Sequence, residues 1–169
     1  EERWKQYGPK VRNILRRCEK ELRIEKSNDI QSFITLYNKT MDRNNATDDY
    51  YYDFHYFEKL SKIKDVELYN IYKDDLLISS AFFFLGNHIG HYHLSANNYE
   101  FRKFNANYFI LEQIFKIVSK ENISGFIIQP TTSISEPPLE QLLEFYDSVY
   151  PYYDEVRVVP QLHKIISAP

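Results

Sequence analysis

Three groups of side chains in this 169-residue chain have types and spacings that can do chemistry. The first is the run His91-Tyr92-His93-Leu94-Ser95. If it is a strand, the side-chain period of two puts His91, His93 and Ser95 on one face. A His-x-His pair can hold a metal, but it needs a further ligand, and the sequence does not place the nearest candidates, His88 and His55. No metal site is therefore expected. His93 titrates near neutral pH when unperturbed, which suits a general acid or base. The competing reading is a partly buried histidine held by hydrogen bonds. The second group is Arg102 and Lys103, just ahead of a segment in which Ile110, Leu111, Ile114, Ile117 and Val118 recur at helical spacing. A basic pair beside the free N–H groups of a helix N-terminus makes an anion site. A solvated loop is the alternative. The third group is Arg12, Arg16, Lys20 and Arg23, opposite the apolar positions Val11, Ile14, Leu15, Cys18 and Leu22. This face could meet the phosphates of a tRNA, a nucleotide-linked precursor or a lipid head group. It could equally be a solvated surface supported by pairs such as Glu19–Arg23.

The elements that must position these groups follow from periodicity. Pro9 suits the first turn of a helix. Glu21 to Lys26 alternates as a short strand with Leu22 and Ile24 inward. Asn28 with Gln31 three residues on resembles a capping box for a helix carrying Ile30, Phe33, Ile34, Tyr37 and Met41. Asn44 to Asp48 ends it, and Tyr52, Tyr56, Leu60 and Ile63 mark another helix. Val66–Tyr72, Leu76–Leu85 and His88–Ser95 read as an antiparallel meander with short links. Gly86-Asn87 is a dipeptide suited to the second turn. Phe82-Phe83-Phe84 predicts a central strand buried on both faces. Gly125–Gln129 is a further strand, parallel to its predecessor through a crossover helix. A loop from Pro130 to Pro138, a short helix with Leu139, Leu142, Leu143 and Tyr146, and a last strand with Val156 and Val158 complete the reading. The fold class is α/β (α+β): a mixed, mainly antiparallel sheet flanked by helices, in one domain over residues 1–169.

Composition narrows the function classes. A net charge of −3 argues against a general nucleic-acid binder. The charge is uneven, with nine Lys/Arg against five Asp/Glu in residues 1–26. Tyr 15 and Phe 12 give an aromatic-rich core. One cysteine, Cys18, excludes an internal disulfide framework and fits a reducing compartment. No apolar run reaches the ~18 residues of a membrane span, and no signal peptide is apparent. The expected location is the cytoplasm, with association at the inner face of the membrane as a variant.

The residues Tyr92-His93-Leu94-Ser95-Ala96, then Phe101-Arg102-Lys103-Phe104, then Asn107 opening a helix, resemble the core of a GNAT-superfamily acyltransferase domain. They resemble most the Fem family of peptidoglycan cross-bridge aminoacyltransferases and related surface-glycan enzymes. Val11 to Lys20 and Leu36 to Asn44 carry the same resemblance, which runs from about Trp4 to Gln129. It implies a GNAT-like fold in which two strands splay to admit the acyl donor. It implies catalytic roles around His93, Ser95 and Tyr92. It places the donor at Arg102, Lys103, Asn105 and Asn107, and the acceptor at Tyr37 and Arg43. No bound cofactor is implied; the acyl donor, an aminoacyl-tRNA or acetyl-coenzyme A, is a co-substrate. The implied acceptor is a nucleotide- or lipid-linked glycan or peptidoglycan precursor. Fem-like proteins carry two such domains, so the chain would correspond to the C-terminal half of one, with an N-terminal domain absent.

The chain also departs from that pattern. The donor loop of GNAT enzymes, Arg/Gln-x-x-Gly-x-Gly/Ala, here reads Arg102-Lys103-Phe104-Asn105-Ala106-Asn107. The arginine is kept and both glycines are asparagine. Asn tolerates left-handed backbone, but its side chain obstructs close approach; weak coenzyme A binding is expected. Tyr146 stands where the family has a lysine, and residues 130–169 hold six Asp/Glu against two Lys/Arg. The expected function is transfer of an aminoacyl or acetyl group to an amine or hydroxyl of a cell-wall or surface-glycan precursor. The alternative is a non-catalytic GNAT-fold binding or interaction module.

Overall fold

The computed structural model describes residues 4–5, 7–86, 88–118, 125–128 and 155–158. Helix α1 (Pro9–Glu21) begins with Pro9, whose missing N–H is no loss in a first turn. It leads directly into β1 (Leu22–Ser27). Helix α2 (Ile30–Arg43) is capped by Asp29, whose carboxylate accepts from the Ser32 N–H at 3.0 Å. The cap is thus one residue beyond the expected Asn28, and the favourable first-turn contact is with Ser32 rather than Gln31. Helix α3 (Phe54–Ser61) is capped in the same way by Asp53. This cap starts the helix after Tyr52, which is therefore outside it, as is Ile63.

Strands β2 (Val66–Lys73), β3 (Leu76–Gly86) and β4 (Ile89–Asn97) form the expected antiparallel meander, with β1 added antiparallel to β2. Strands β5 (Gly125–Ile128) and β6 (Glu155–Val158) extend the sheet in parallel, giving the order β1-β2-β3-β4-β5-β6. Gly86 is still a strand residue, paired with Ile89, so the turn falls one residue later than expected. His88 takes the positive φ of 64° there. Gly86 is needed for space instead: a Cβ would lie 2.7 Å from the Asp65 side chain. Asn87, Gln129, the 130–138 loop and the helix around Tyr146 lie outside the described residues.

The sheet separates two cores. Phe83 faces α1 and helix α4 (Ala106–Val118), among Cys18, Ile71, Ile110 and Ile114. Phe82 faces α2 and α3, among Phe33, Tyr37, Phe57 and Ala96. Both phenylalanines are fully buried, each contributing about 1.5–3 kcal/mol of apolar burial. This is the two-sided central strand that the Phe run predicts. The result is to hold β4, the strand carrying the histidines, firmly against β3 on one side.

Candidate active site

On its other side β4 pairs in parallel with β5 from Ile89–Gly125 to Tyr92–Ile128. From His93 onward β4 has no strand partner on that edge among the described residues. A β-bulge falls at the same point: Phe83 pairs with Tyr92 and Phe82 with Leu94, leaving His93 as the extra residue. Beyond the bulge the edge is closed at Asn97. Thr40 of α2 exchanges hydrogen bonds with the Asn97 backbone at 3.1 and 3.3 Å, and Arg43 reaches its carbonyl at 3.4 Å.

The bulge also resets the alternation of side chains. His91 and His93 do share the α2/α3 face, with ring centroids 5.5 Å apart and Phe84 against both. Ser95 does not share it. Leu94 and Ala96 pack into the α2/α3 core, and Ser95 is hydrogen-bonded to Tyr92, which packs on Phe83 at 5.0 Å on the opposite face. The expectation of one face for all three fails because one inserted residue shifts the period of two. Burial raises the Tyr92 hydroxyl pKa, and the Ser95 hydrogen bond opposes that rise. Burial, then the neighbouring His91 ring, lowers His93 to about 4. His91 is lowered by burial as well. His93 is therefore neutral at pH 7 and less basic than the sequence implies. Its Nε2 lies 3.5 Å from the Tyr56 hydroxyl, and Tyr56 stacks on Tyr52 at 4.3 Å.

The chain leaves β4 through a 3-10 helix, Tyr99–Phe104, and enters α4 at Ala106. Asn105 makes the junction in the left-handed conformation, φ 53° and ψ 42°. This is the conformation for which glycine is the usual residue, and Asn is the next best. The Asn105 carbonyl accepts from the N–H groups of Tyr108 and Phe109, so it starts the helix ladder. The N–H groups of Ala106 and Asn107 have no backbone acceptor among the described residues. They open on a cleft of about 220 Å³ lined by Arg43, Asn97, Tyr99, Arg102, Asn105 and Asn107. Tyr99 is 54% exposed and lies against both guanidinium groups, 4.3 Å from Arg102 and 5.1 Å from Arg43. Two cations and a helix N-terminus thus surround one concavity, the combination of groups that favours an anion.

Four of the predicted binding residues thus converge here: Arg102, Asn105, Asn107 and Arg43. Arg43, expected on the acceptor side, lines the same cleft as Arg102. Lys103 turns away: its carbonyl accepts from Arg17 at 2.6 Å, and it lines a separate depression with Arg17, Glu21 and Phe104. Tyr37 is 2% exposed, packed on Phe33 and Phe57, with its hydroxyl pKa raised by burial. It is a core residue with no surface for an acceptor. Tyr56, Thr40 and Tyr99 are missed by sequence reasoning. Tyr56 falls on a helical stripe and looks like core. Only the exposed aromatic between cations, Tyr99 next to Arg102, leaves any trace in the sequence. Among the described residues no three His, Cys, Asp or Glu side chains come together as a metal site requires. His55 pairs with Glu58 at 3.5 Å on α3, and among the described residues no helix is long and apolar enough to cross a membrane.

Comparison with solved structures bears on this geometry. FemX superposes with a TM-score of 0.61 at 15% identity, over 71% of this chain and 47% of that one. The chain thus spans about half the length of FemX. An aminoglycoside acetyltransferase from an uncultured soil metagenomic sample, in complex with trehalose, superposes at 0.59 with 13% identity, over 84% and 95%. The ribosomal-protein-S18-alanine N-acetyltransferase from Escherichia coli superposes at 0.58 with 8% identity, over 76% of each chain. At these identities the likeness is one of fold. Sequence comparison with curated proteins gives no match. The model of the family described as acetyltransferase (GNAT) domain matches residues 9–127, most of the chain, from α1 through β4 into β5. The chain belongs to the GNAT acetyltransferase family, whose members use acetyl-coenzyme A as co-substrate.

Proposed function

We propose that this chain transfers an acyl group from a phosphate-bearing carrier to an amine or hydroxyl of a cell-wall or surface-glycan precursor. The observation that carries the reading is the N-terminus of α4, whose Ala106 and Asn107 N–H groups have no backbone acceptor among the described residues and lie at a cleft lined by Arg102 and Arg43. It follows β4, whose edge has no described strand partner from His93 onward. An extended acyl-carrying arm can pair with that edge while its phosphate sits on the Ala106 and Asn107 N–H groups. The same edge presents backbone N–H groups to an oxyanion as the tetrahedral adduct forms. His93 Nε2 accepts the proton that the attacking amine or hydroxyl loses. The adduct then collapses, the acyl group stays on the acceptor, and the carrier leaves as thiol or ribose hydroxyl by taking the proton back from His93. Asn105 already has the loop conformation that a pyrophosphate site needs. The Asn107 side chain lines the same cleft and crowds close approach, which favours an aminoacyl-tRNA over coenzyme A.

The test is calorimetric titration with acetyl-coenzyme A and with an aminoacylated tRNA minihelix, followed by mass spectrometry of a nucleotide-linked muropeptide incubated with each. The reading expects tighter binding of the minihelix and a mass gain of one aminoacyl group on the muropeptide. Binding of neither donor contradicts it. The lowered basicity of His93 supports a second reading, a binding module without turnover. That reading expects donor or muropeptide binding and no product.

A further inference from the structure

We propose that the outer face of α1, with the start of the Lys103 loop, is a docking surface for the phosphodiester backbone of a nucleic-acid strand. The proposal deepens the aminoacyl-tRNA reading above by assigning a surface to the nucleic-acid part of the donor, and it is argued from charge placement. Helix α1 turns Leu15 and Cys18 into the core and Lys10, Arg16, Arg17 and Lys20 to solvent, with Arg12 half-buried beside them. None of these five cations forms an ion pair among the described residues. Of the two acidic residues near them, Glu19 is drawn off to Lys116 of α4 at 2.8 Å, and Glu21 lies at the C-terminal end of α1, in the depression shared with Arg17 and Lys103. Arg23, at the end of the stripe, is engaged with Glu25. A chain of net charge −3 therefore carries a concentrated positive face.

The spacing suits a strand of phosphates. Arg12, Arg16 and Lys20 recur every four residues, about 6 Å apart along the helix axis. That is of the order of the separation between neighbouring phosphates on one strand. Trp4 lies 5.6 Å from the Arg16 guanidinium, half-buried, and offers an aromatic surface beside the cations. The face is also tied to the candidate active site. Arg17 donates to the Lys103 carbonyl at 2.6 Å, and the Cys18 thiol to the Phe104 carbonyl at 3.2 Å. A strand lying along α1 would thus be led toward the loop that opens α4. A membrane surface is disfavoured, because none of the large exposed apolar side chains lies on α1.

The experiment is fluorescence anisotropy of a labelled mixed-sequence RNA dodecamer with the full chain, in roughly 50 to 200 mM salt. Three phosphate contacts give a slope of about −2 in log K against log salt, so affinity should fall more than tenfold over that range. The triple variant Arg12→Glu, Arg16→Glu, Lys20→Glu should lose at least tenfold in affinity at low salt. The milder Arg12→Gln, Arg16→Gln, Lys20→Gln variant should lose several-fold and flatten the slope; it answers the question if charge reversal disturbs folding, which circular dichroism reports. Sedimentation with phosphatidylserine vesicles and titration with polyglutamate are run in parallel. No RNA binding, RNA binding unchanged in the folded Gln variant, or equal affinity for polyglutamate would each overturn the proposal. So would capture by vesicles without RNA binding. None of these outcomes depends on whether the chain transfers acyl groups.

Discussion

Asn105 is the residue on which the shape of the loop entering α4 turns, and its replacement has an outcome that can be worked out. Its backbone is left-handed, at φ 53° and ψ 42°, a region that costs a residue with a Cβ roughly 1–2 kcal/mol. Asn pays less than that because its side chain bonds locally; here Nδ2 donates to the Lys103 carbonyl at 3.0 Å. Asn105→Ala keeps the Cβ and loses the bond, which together cost about 1–2 kcal/mol. Asn105→Gly loses the bond but fits the conformation freely, and should stay within about 1 kcal/mol of the native chain. For a chain of this size a loss of 1 kcal/mol lowers Tm by about 2–4 °C. Thermal unfolding followed by circular dichroism should therefore show Ala clearly below Gly, by a few degrees. An Ala variant as stable as the Gly variant would mean that the left-handed junction is not a constraint on the sequence.

Other outcomes follow from the same structure. Gly86→Ala places a Cβ 2.7 Å from the Asp65 side chain and should cost about 1–3 kcal/mol, read as a lower urea midpoint with unchanged m. His93→Gln should lower turnover by about 10²–10⁴-fold and leave donor affinity nearly intact; turnover within twofold of wild type removes His93 from the chemistry. Burial holds His93 at about 4 in the folded chain, below its unfolded value, so the unfolded state binds the proton first. Its contribution to stability is complete above the unfolded pKa near 6.5 and is lost as pH falls toward 4, so Tm in His93→Gln should depend less on pH between 7 and 4 than in wild type. Cys18 is buried with its thiol pushed up to about 11. It should resist thiol reagents at pH 8 until the chain is unfolded.

What was legible in the sequence is what periodicity controls. The Phe82–Phe84 run, the helical stripe before Val118 and the short links among β2, β3 and β4 fix most of the sheet, and each element is where its pattern puts it. What escaped depends on single residues that periodicity cannot weigh. Asp29 caps α2 in preference to Asn28, and Gly86 is demanded by the Asp65 side chain rather than by a turn. The β4 bulge inserts His93 without any local signal, and this alone separates Ser95 from the histidines. At the site, Arg102, Asn105 and Asn107 could be read from their order before a helix. Arg43 could not be assigned to the same cleft, because only the packing of α2 on the end of β4 brings it there. Tyr37 illustrates the opposite error: a tyrosine on a helical stripe packs into the core.

The central claim is that an acyl carrier lies along the β4 edge from His93 onward, with its phosphate at the N-terminus of α4. Amide chemical shifts of the full chain, followed by nuclear magnetic resonance during titration with acetyl-coenzyme A and separately with an aminoacylated minihelix, test it most directly. The account predicts that at least one donor saturates, with the largest changes at His93 to Ala96 and at Asn105 to Asn107, and that Arg102→Ala weakens that binding about tenfold or more. Saturable binding that leaves those amides unmoved, or no binding of either donor, would contradict it.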